Sequence, residues 1–275
     1  YLWLSSHKGK KTVIVVDHHF DEIIPYVNQV IEVSSEGEIS QKMTSFQVSK
    51  NMGPSLTALF DEQQKSNVIE FSISNISFHH LNQKKLLENI TLSAGAGDVI
   101  VIKGKNGQGK STLFKIMGGL LRPLKGEVKI ITNEGPIAKN RQKKEIGFIF
   151  QNPETHFFYD TIKEELNNIP HDQLHSLLMK FFTKVDVERS PFLLSEGEKR
   201  RLSILMTVFQ KKNILFYDEP TFGQDRDSID LIRDMIVELK SLGKIQFIIS
   251  HDEEFIDSLN PRVYLLRNQT LEKIQ

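Results

Sequence analysis

The chain contains no cysteine, which excludes disulfide frameworks and thiol catalysis and says little about compartment. It has no excess of either charge, 35 Lys and Arg standing against 35 Asp and Glu. No global field therefore draws it to nucleic acid or to an anionic membrane. No run approaches the roughly 18 apolar residues of a membrane span, and no signal peptide is visible. Any membrane partner is expected on other chains. What is present is a 39% hydrophobic content in 275 residues, enough for one or two domains with a sizeable core.

Two phosphate-handling strings stand out, GKNGQGKST from Gly104 to Thr112 and LSEGE from Leu194 to Glu198. The first fits G-x-x-x-x-G-K-[ST], in which glycines let the backbone curl so that N–H groups and a helix N-terminus converge on phosphates. Lys110 then reaches the β- and γ-phosphates, and Ser111 offers its hydroxyl to Mg²⁺. Val99 to Ile102 reads as a buried strand before the loop, and Thr112 to Met117 is compatible with a helix after it. Further on, Ile214 to Tyr217 run into Asp218 and Glu219. This spacing predicts a parallel strand buried on both faces, with the acids at its C-terminal end, where ligands bind in open α/β sheets. Asp218 suits Mg²⁺ coordination, and Glu219 suits orienting, or taking a proton from, an attacking water.

From about Val68 to the end, these residues resemble the nucleotide-binding domain of ATP-binding cassette (ABC) proteins, with the family's motifs in order. GKNGQGKST resembles the Walker A loop, Gln151 in FIFQNPETHFF the Q-loop glutamine, and LSEGEKRR the signature. FYDEP resembles Walker B and the catalytic glutamate, Asp225 in TFGQD the D-loop aspartate, and His251 in IISHDEEF the switch histidine. The resemblance implies an α/β fold, a P-loop NTPase core of ABC type with an antiparallel β region and a helical subdomain. It implies ATP and Mg²⁺ as ligands. Gly104, Asn106, Gly107, Gly109, Lys110, Ser111 and Thr112 would surround the phosphates, and Ser111, Gln151 and Asp218 the metal. Glu219 would address the attacking water and His251 the γ-phosphate side. Adenine would stack on His80 in SFHH, with His79 as the neighbouring choice and two plain surface histidines as the alternative.

In this family the signature of one domain completes the site of another, so Ser195 and the Gly197 backbone would face a partner's γ-phosphate. Here the signature departs from the common LSGGQ, with Glu196 in place of glycine and Glu198 in place of glutamine. A carboxylate near a triphosphate is repulsive unless it points away or meets a cation such as Lys199 or Arg200.

Within the family, FQNP with aromatics after it and DEPTFGQD are similar to the ATPases of energy-coupling-factor (ECF) vitamin importers, while TIKEELNNI diverges from that group. This implies an ATP-binding and ATP-hydrolysing subunit powering uptake of a vitamin or vitamin precursor. It would be peripheral on the cytoplasmic face of the cell membrane, with transmembrane transport subunits as partners and no direct contact with nucleic acid. The cluster Phe157-Phe158-Tyr159 reads either as a docking surface for a membrane subunit or as core of the helical subdomain. The competing function is a soluble tandem ABC ATPase acting on ribosomes or nucleic acid. Such proteins typically join their domains by long, highly charged helical linkers, which the connector here does not resemble.

The start of the chain repeats its end. At one constant offset, Ile14 to His18 lines up with Phe247 to His251, and Val30 to Val33 with Val263 to Leu266. The expected layout is a C-terminal fragment of a preceding ABC domain in 1–39, a linker in 40–67 with one short helix around Leu56 to Gln64, and a complete ABC domain in 68–275. On this reading a second ABC domain, upstream in the same parent chain, is the partner. Within the complete domain, strand Gly147 to Phe150 is expected before Gln151. A helical insert carrying Leu174, Leu177, Leu178, Phe181 and Phe182 follows, and then a helix from Lys199 to Phe209.

Overall fold

In the computed structural model, the residues described are 30–33, 39–43, 66–80, 85–167 and 186–275, together with 169, 174, 178, 181 and 182. The chain divides into two compact units, Tyr1–Met52 and Gly53–Gln275. In the first unit, β1 (Val30–Val33) and β2 (Ile39–Met43) form an antiparallel hairpin with Val33 opposite Ile39 and Val30 opposite Met43. Residues 40–43, expected to open the linker, are thus the second strand of a hairpin. The strand expected at Ile14 to His18 and the helix expected at Leu56 to Gln64 lie outside the described residues.

The second unit holds two sheets. An antiparallel one is built from β3 (Val68–Phe78), β4 (Leu87–Gly95), β6 (Lys125–Thr132) and β7 (Gly135–Pro136), in the order β4-β3-β6-β7. The other contains β5 (Val99–Lys103), β8 (Ile146–Ile149), β9 (Ile214–Asp218), β10 (Ile245–Ile249), β11 (Arg262–Arg267) and β12 (Thr270–Lys273), in the order β12-β11-β5-β10-β9-β8. In that sheet only β12 pairs antiparallel. The alternation of β4 leaves one face for the core, whereas every residue of β10 is buried, as a strand covered on both sides requires. Six helices are described: α1 (Lys110–Met117), α2 (Lys139–Gln142), α3 (Ile162–Glu165), α4 (Glu196–Phe209), α5 (Arg226–Ser241) and α6 (Glu253–Leu259). Among the described residues, no helix is long and apolar enough to cross a membrane.

Strand alternation divides the core. Leu215, Tyr217 and Ile248 pack with Leu205, Ile232, Met235 and Phe255 from the helices. Their neighbours Ile214, Phe216 and Phe247 pack on the other face with Phe71 of the antiparallel sheet and Phe114 of α1, as a period of two dictates. On that second face Phe247 lies opposite Phe216, and Phe216 opposite Phe148. Their rings stack at 5.0 Å between centroids in both pairs. The row continues through Phe150 at 5.3 Å to His156 at 5.4 Å. A Cβ on Gly118, just past α1, would meet the Phe148 ring at 2.0 Å, so the row sits on a bare backbone. Phe181 and Phe182 of the insert are buried in the core cluster, against which Leu174 and Leu178 also pack, while the side chain of Leu177 lies outside the described residues. The parallel strands β5, β8, β9 and β10 lead at their carboxyl ends into the Gly104 loop, Gln151, Glu219 and His251.

Candidate functional site

The loop between β5 and α1 has the backbone that its glycines allow. Gly104, Gly107 and Gly109 have φ of 152°, 81° and 99°, and a Cβ at Gly104 would lie 2.6 Å from the Leu266 carbonyl oxygen. These positions admit only glycine without strain. Lys105 N–H donates to Gln108 Oε1 at 3.0 Å, and the Lys110 ammonium donates to the Gly104 carbonyl at 2.6 Å, closing the curl. The first N–H groups of α1, on Lys110, Ser111 and Thr112, have no intrahelical acceptor by geometry. Its N-cap, Gly109, supplies no side-chain bond, and the first turn carries no acid. Such an end is prepared for an anion. Asn106 is exposed at the rim of the loop.

Glu219 follows β9 at φ 52°, and its N–H donates to the Ile249 carbonyl at 2.9 Å, which ties the ends of β9 and β10 together. Burial pushes the Glu219 carboxyl above the ordinary range, partly opposed by His251 and Lys110. His251 Nε2 lies 3.4 Å from Glu219 Oε1 and 3.5 Å from the Lys110 ammonium. Burial lowers the Lys110 pKa, while Glu219 and Asp218 act to raise it. The structure thus brings Lys110, Asp218, Glu219 and His251 into one electrostatic cluster. Among the described residues, no group of three or more His, Cys, Asp and Glu could cage a metal. Ser111, Gln151 and Asp218 offer instead hard oxygen donors with one carboxylate, a set that fits Mg²⁺, which completes its shell from substrate phosphates and water.

The remaining expected residues fall at two places. His80 is exposed just beyond β3, edge-on to Phe78 at 5.0 Å, and His79 Nδ1 is 3.1 Å from the His80 carbonyl. Phe78 accepts from Leu86 N–H, and a Cβ on Gly109 would meet the Leu86 side chain at 2.9 Å, so this hairpin end abuts the phosphate loop. Ser195 is the N-cap of α4. The Glu198 carboxylate accepts from the Ser195 N–H at 2.9 Å and from its hydroxyl at 2.7 Å. This capping box explains why α4 begins at Glu196 rather than at Lys199, where apolar spacing alone starts it. Glu196 meets Lys199 at 3.0 Å, one of the two cations named from sequence. A Cβ on Gly197 would lie 2.7 Å from Ser228 Oγ, which keeps this position small. Asp225 caps α5 through Ser228 N–H at 2.8 Å, and Arg201 donates to the same serine hydroxyl at 2.7 Å.

Two residues beside the site have contacts that the sequence did not give: Arg200, named there only as a cation for the signature carboxylate, and His156. Arg200 donates to the main-chain carbonyls of Phe150 and Gln151. His156 accepts from Phe150 N–H at 3.3 Å. Burial, helped by the Arg200 charge, pushes its imidazole down to about 4, so it stays neutral near pH 7. The signal for Arg200 was a run of three basic residues opening an apolar helix. His156 gave none.

Comparison with known proteins agrees with this geometry. A family model described as ABC transporter matches residues 87–222. The energy-coupling factor transporter ATP-binding protein EcfA2 of Thermotoga maritima is 36% identical over 197 residues, covering 67% of this chain and 73% of that protein. EcfA of Methanothermobacter thermautotrophicus is 31% identical over 214 residues, covering 72% and 68%. The putative HMP/thiamine import ATP-binding protein YkoD of Bacillus subtilis is 27% identical over 312 residues, covering 98% of this chain. The chain spans only 56% of that relative's length. In fold it is similar to cbiO1 of Clostridium perfringens, with a TM-score of 0.61 at 24% identity over 75% of this chain and 87% of that one. With relatives above 30% identity matched over more than two thirds of their own length, the chain belongs to the ABC transporter family, among its ATP-binding proteins.

Proposed function

We propose that this chain is the ATP-hydrolysing part of a membrane importer of the energy-coupling-factor kind, taking up a vitamin or vitamin precursor. The observation that carries the reading is the cluster of Lys110, Asp218, Glu219 and His251 at the carboxyl ends of parallel strands, beside a helix end left uncapped. Phosphoryl transfer needs positioning and charge neutralisation more than covalent chemistry. The loop N–H groups and Lys110 hold the phosphates. Ser111, Gln151 and Asp218 would hold Mg²⁺, which would supply neutralising charge when bound. Glu219, with its carboxyl pushed up by burial, takes the proton of the attacking water more readily than an ordinary carboxylate. His251, 3.4 Å from it, steadies the γ-phosphate side.

The importer kind is supported by the names of EcfA2 and YkoD. The aromatic cluster divides between the two readings open at sequence level. Phe157 is buried in the core, while Phe158 and Tyr159 are exposed, as are Phe192 and Leu193. The exposed part is the surface we assign to a transmembrane subunit, and on this reading the protein is peripheral on the cytoplasmic face of the membrane. A second ABC domain in the parent chain is supported by YkoD, which this chain matches almost end to end while spanning about half of it. It is supported also by β1, which at that offset falls on β11 and, like β11, pairs antiparallel with a strand that follows it.

Glu219→Gln tests the reading. ATP binding should survive while turnover falls at least about 100-fold, since a base is removed but no phosphate contact. Unchanged turnover would move the base elsewhere.

A further inference from the structure

Helix α4 buries three consecutive cations directly behind the signature, Lys199 at 7%, Arg200 at 2% and Arg201 at 8% exposure. A buried charge is costly unless partnered. Lys199 has two carboxylates, Glu196 at 3.0 Å and Glu154 at 2.5 Å. Arg200 has no carboxylate in contact among the described residues. Its two Nη groups donate to the Phe150 and Gln151 carbonyls, and its Nε has no partner among them. The turn from 150 to 156 is therefore held from one helix at three points: the carbonyls of Phe150 and Gln151 by Arg200, and the Glu154 side chain by Lys199. The Phe150 N–H is taken by His156 at 3.3 Å. The Gln151 side chain is left exposed.

We infer that Arg200 is a positioning residue for Gln151: it fixes the peptide that carries the glutamine amide and locks it to the helix whose N-terminus is the signature. This rests on the ATPase reading above. A planar fork with two donors suits two successive carbonyls, which a lysine cannot span. Packing alone would be satisfied by an apolar side chain of similar length, whereas positioning would not.

The test is a thermodynamic cycle in the full-length protein with Arg200→Met, Gln151→Ala and the double variant. Turnover is read together with binding of a fluorescent ATP analogue, with and without Mg²⁺. Arg200→Met should lower kcat about 30-fold while leaving metal-free nucleotide affinity within about twofold, because misplacement acts on the reacting geometry. The gain in nucleotide affinity on adding Mg²⁺ should shrink about fivefold in Arg200→Met and in Gln151→Ala, and no further in the double variant, since residues acting through one another are not additive. Arg200→Lys should recover part of the effect, and it carries the same cycle if the methionine variant does not fold. Additive losses, or a wild-type Mg²⁺ response in Arg200→Met, would overturn the inference. A wild-type protein that binds Mg²⁺ and nucleotide without hydrolysis would sink the ATPase reading instead, and the binding cycle would still judge Arg200.

Discussion

Two helix ends in this chain face the same physical problem and resolve it in opposite ways. Both α1 and α4 begin with N–H groups that no preceding turn can accept. At α1 the N-cap is Gly109, with no side-chain bond and no acid in the first turn. At α4 the N-cap is Ser195, with a complete capping box and two glutamates, Glu196 and Glu198, in the first turn. The first end is left for an anion from outside, while the second has an internal carboxylate on the donors nearest to it. A family motif that departs from its usual letters can thus keep its helix start while changing the charge it presents.

The sharpest way to break this contrast is at Lys110, the cation that serves the open end. Lys110→Ala should weaken ATP binding about 100-fold, because charged hydrogen bonds to phosphate are lost with no neighbour placed to replace them. Calorimetry with unchanged affinity would withdraw the open end from nucleotide binding. Acidification should next disturb the α4 side through His156. His156 has its pKa lowered to about 4, so the unfolded chain binds its proton first as pH falls below the ordinary value of about 6.5. The stability held by neutral His156 is complete above that value and is lost as pH drops toward 4. Linkage puts the loss near 2.5 kcal/mol at about pH 4.5. Urea unfolding of wild type against His156→Gln should show that slope in the wild type only, and parallel profiles would refute it.

The smallest effect concerns the cap. Glu198→Ala should cost about 1 kcal/mol by opening the capping box, whereas Glu198→Gln, which can still accept from Ser195, should cost under about 0.5 kcal/mol. Equal melting temperatures for the two variants would show that the box does not hold α4.

Legibility followed the range of the interactions. The phosphate loop, β5, α1 and β9 could be read because glycine spacing and apolar runs are local, and β8 is displaced by one residue from its expected start. The capping box at Ser195 and Glu198 is legible as S-x-x-E, although a carboxylate in the signature announces its charge before its reach. Arg200 contacts carbonyls some 50 positions away, which no local pattern announces. The neutrality of His156 depends on burial and on that same arginine. Phe157 and Phe158 are adjacent, yet one is in the core and the other is 83% exposed. Neighbouring side chains in an irregular segment diverge, and composition cannot say which turns inward.

Gly118 and Phe148 belong to different elements, yet the missing Cβ of one is filled by the ring of the other. In heredity they form a single locus. Enlarging position 118 alone drives a carbon into an aromatic ring, and shrinking position 148 alone opens a cavity beneath a row of stacked rings. Related chains should therefore drift through a glycine with a large residue, or through alanine or serine with a smaller partner, and seldom through the mixed pairs. Laboratory selection on one position should recover its compensating change at the other, with the two substitutions together costing less than the sum of each alone.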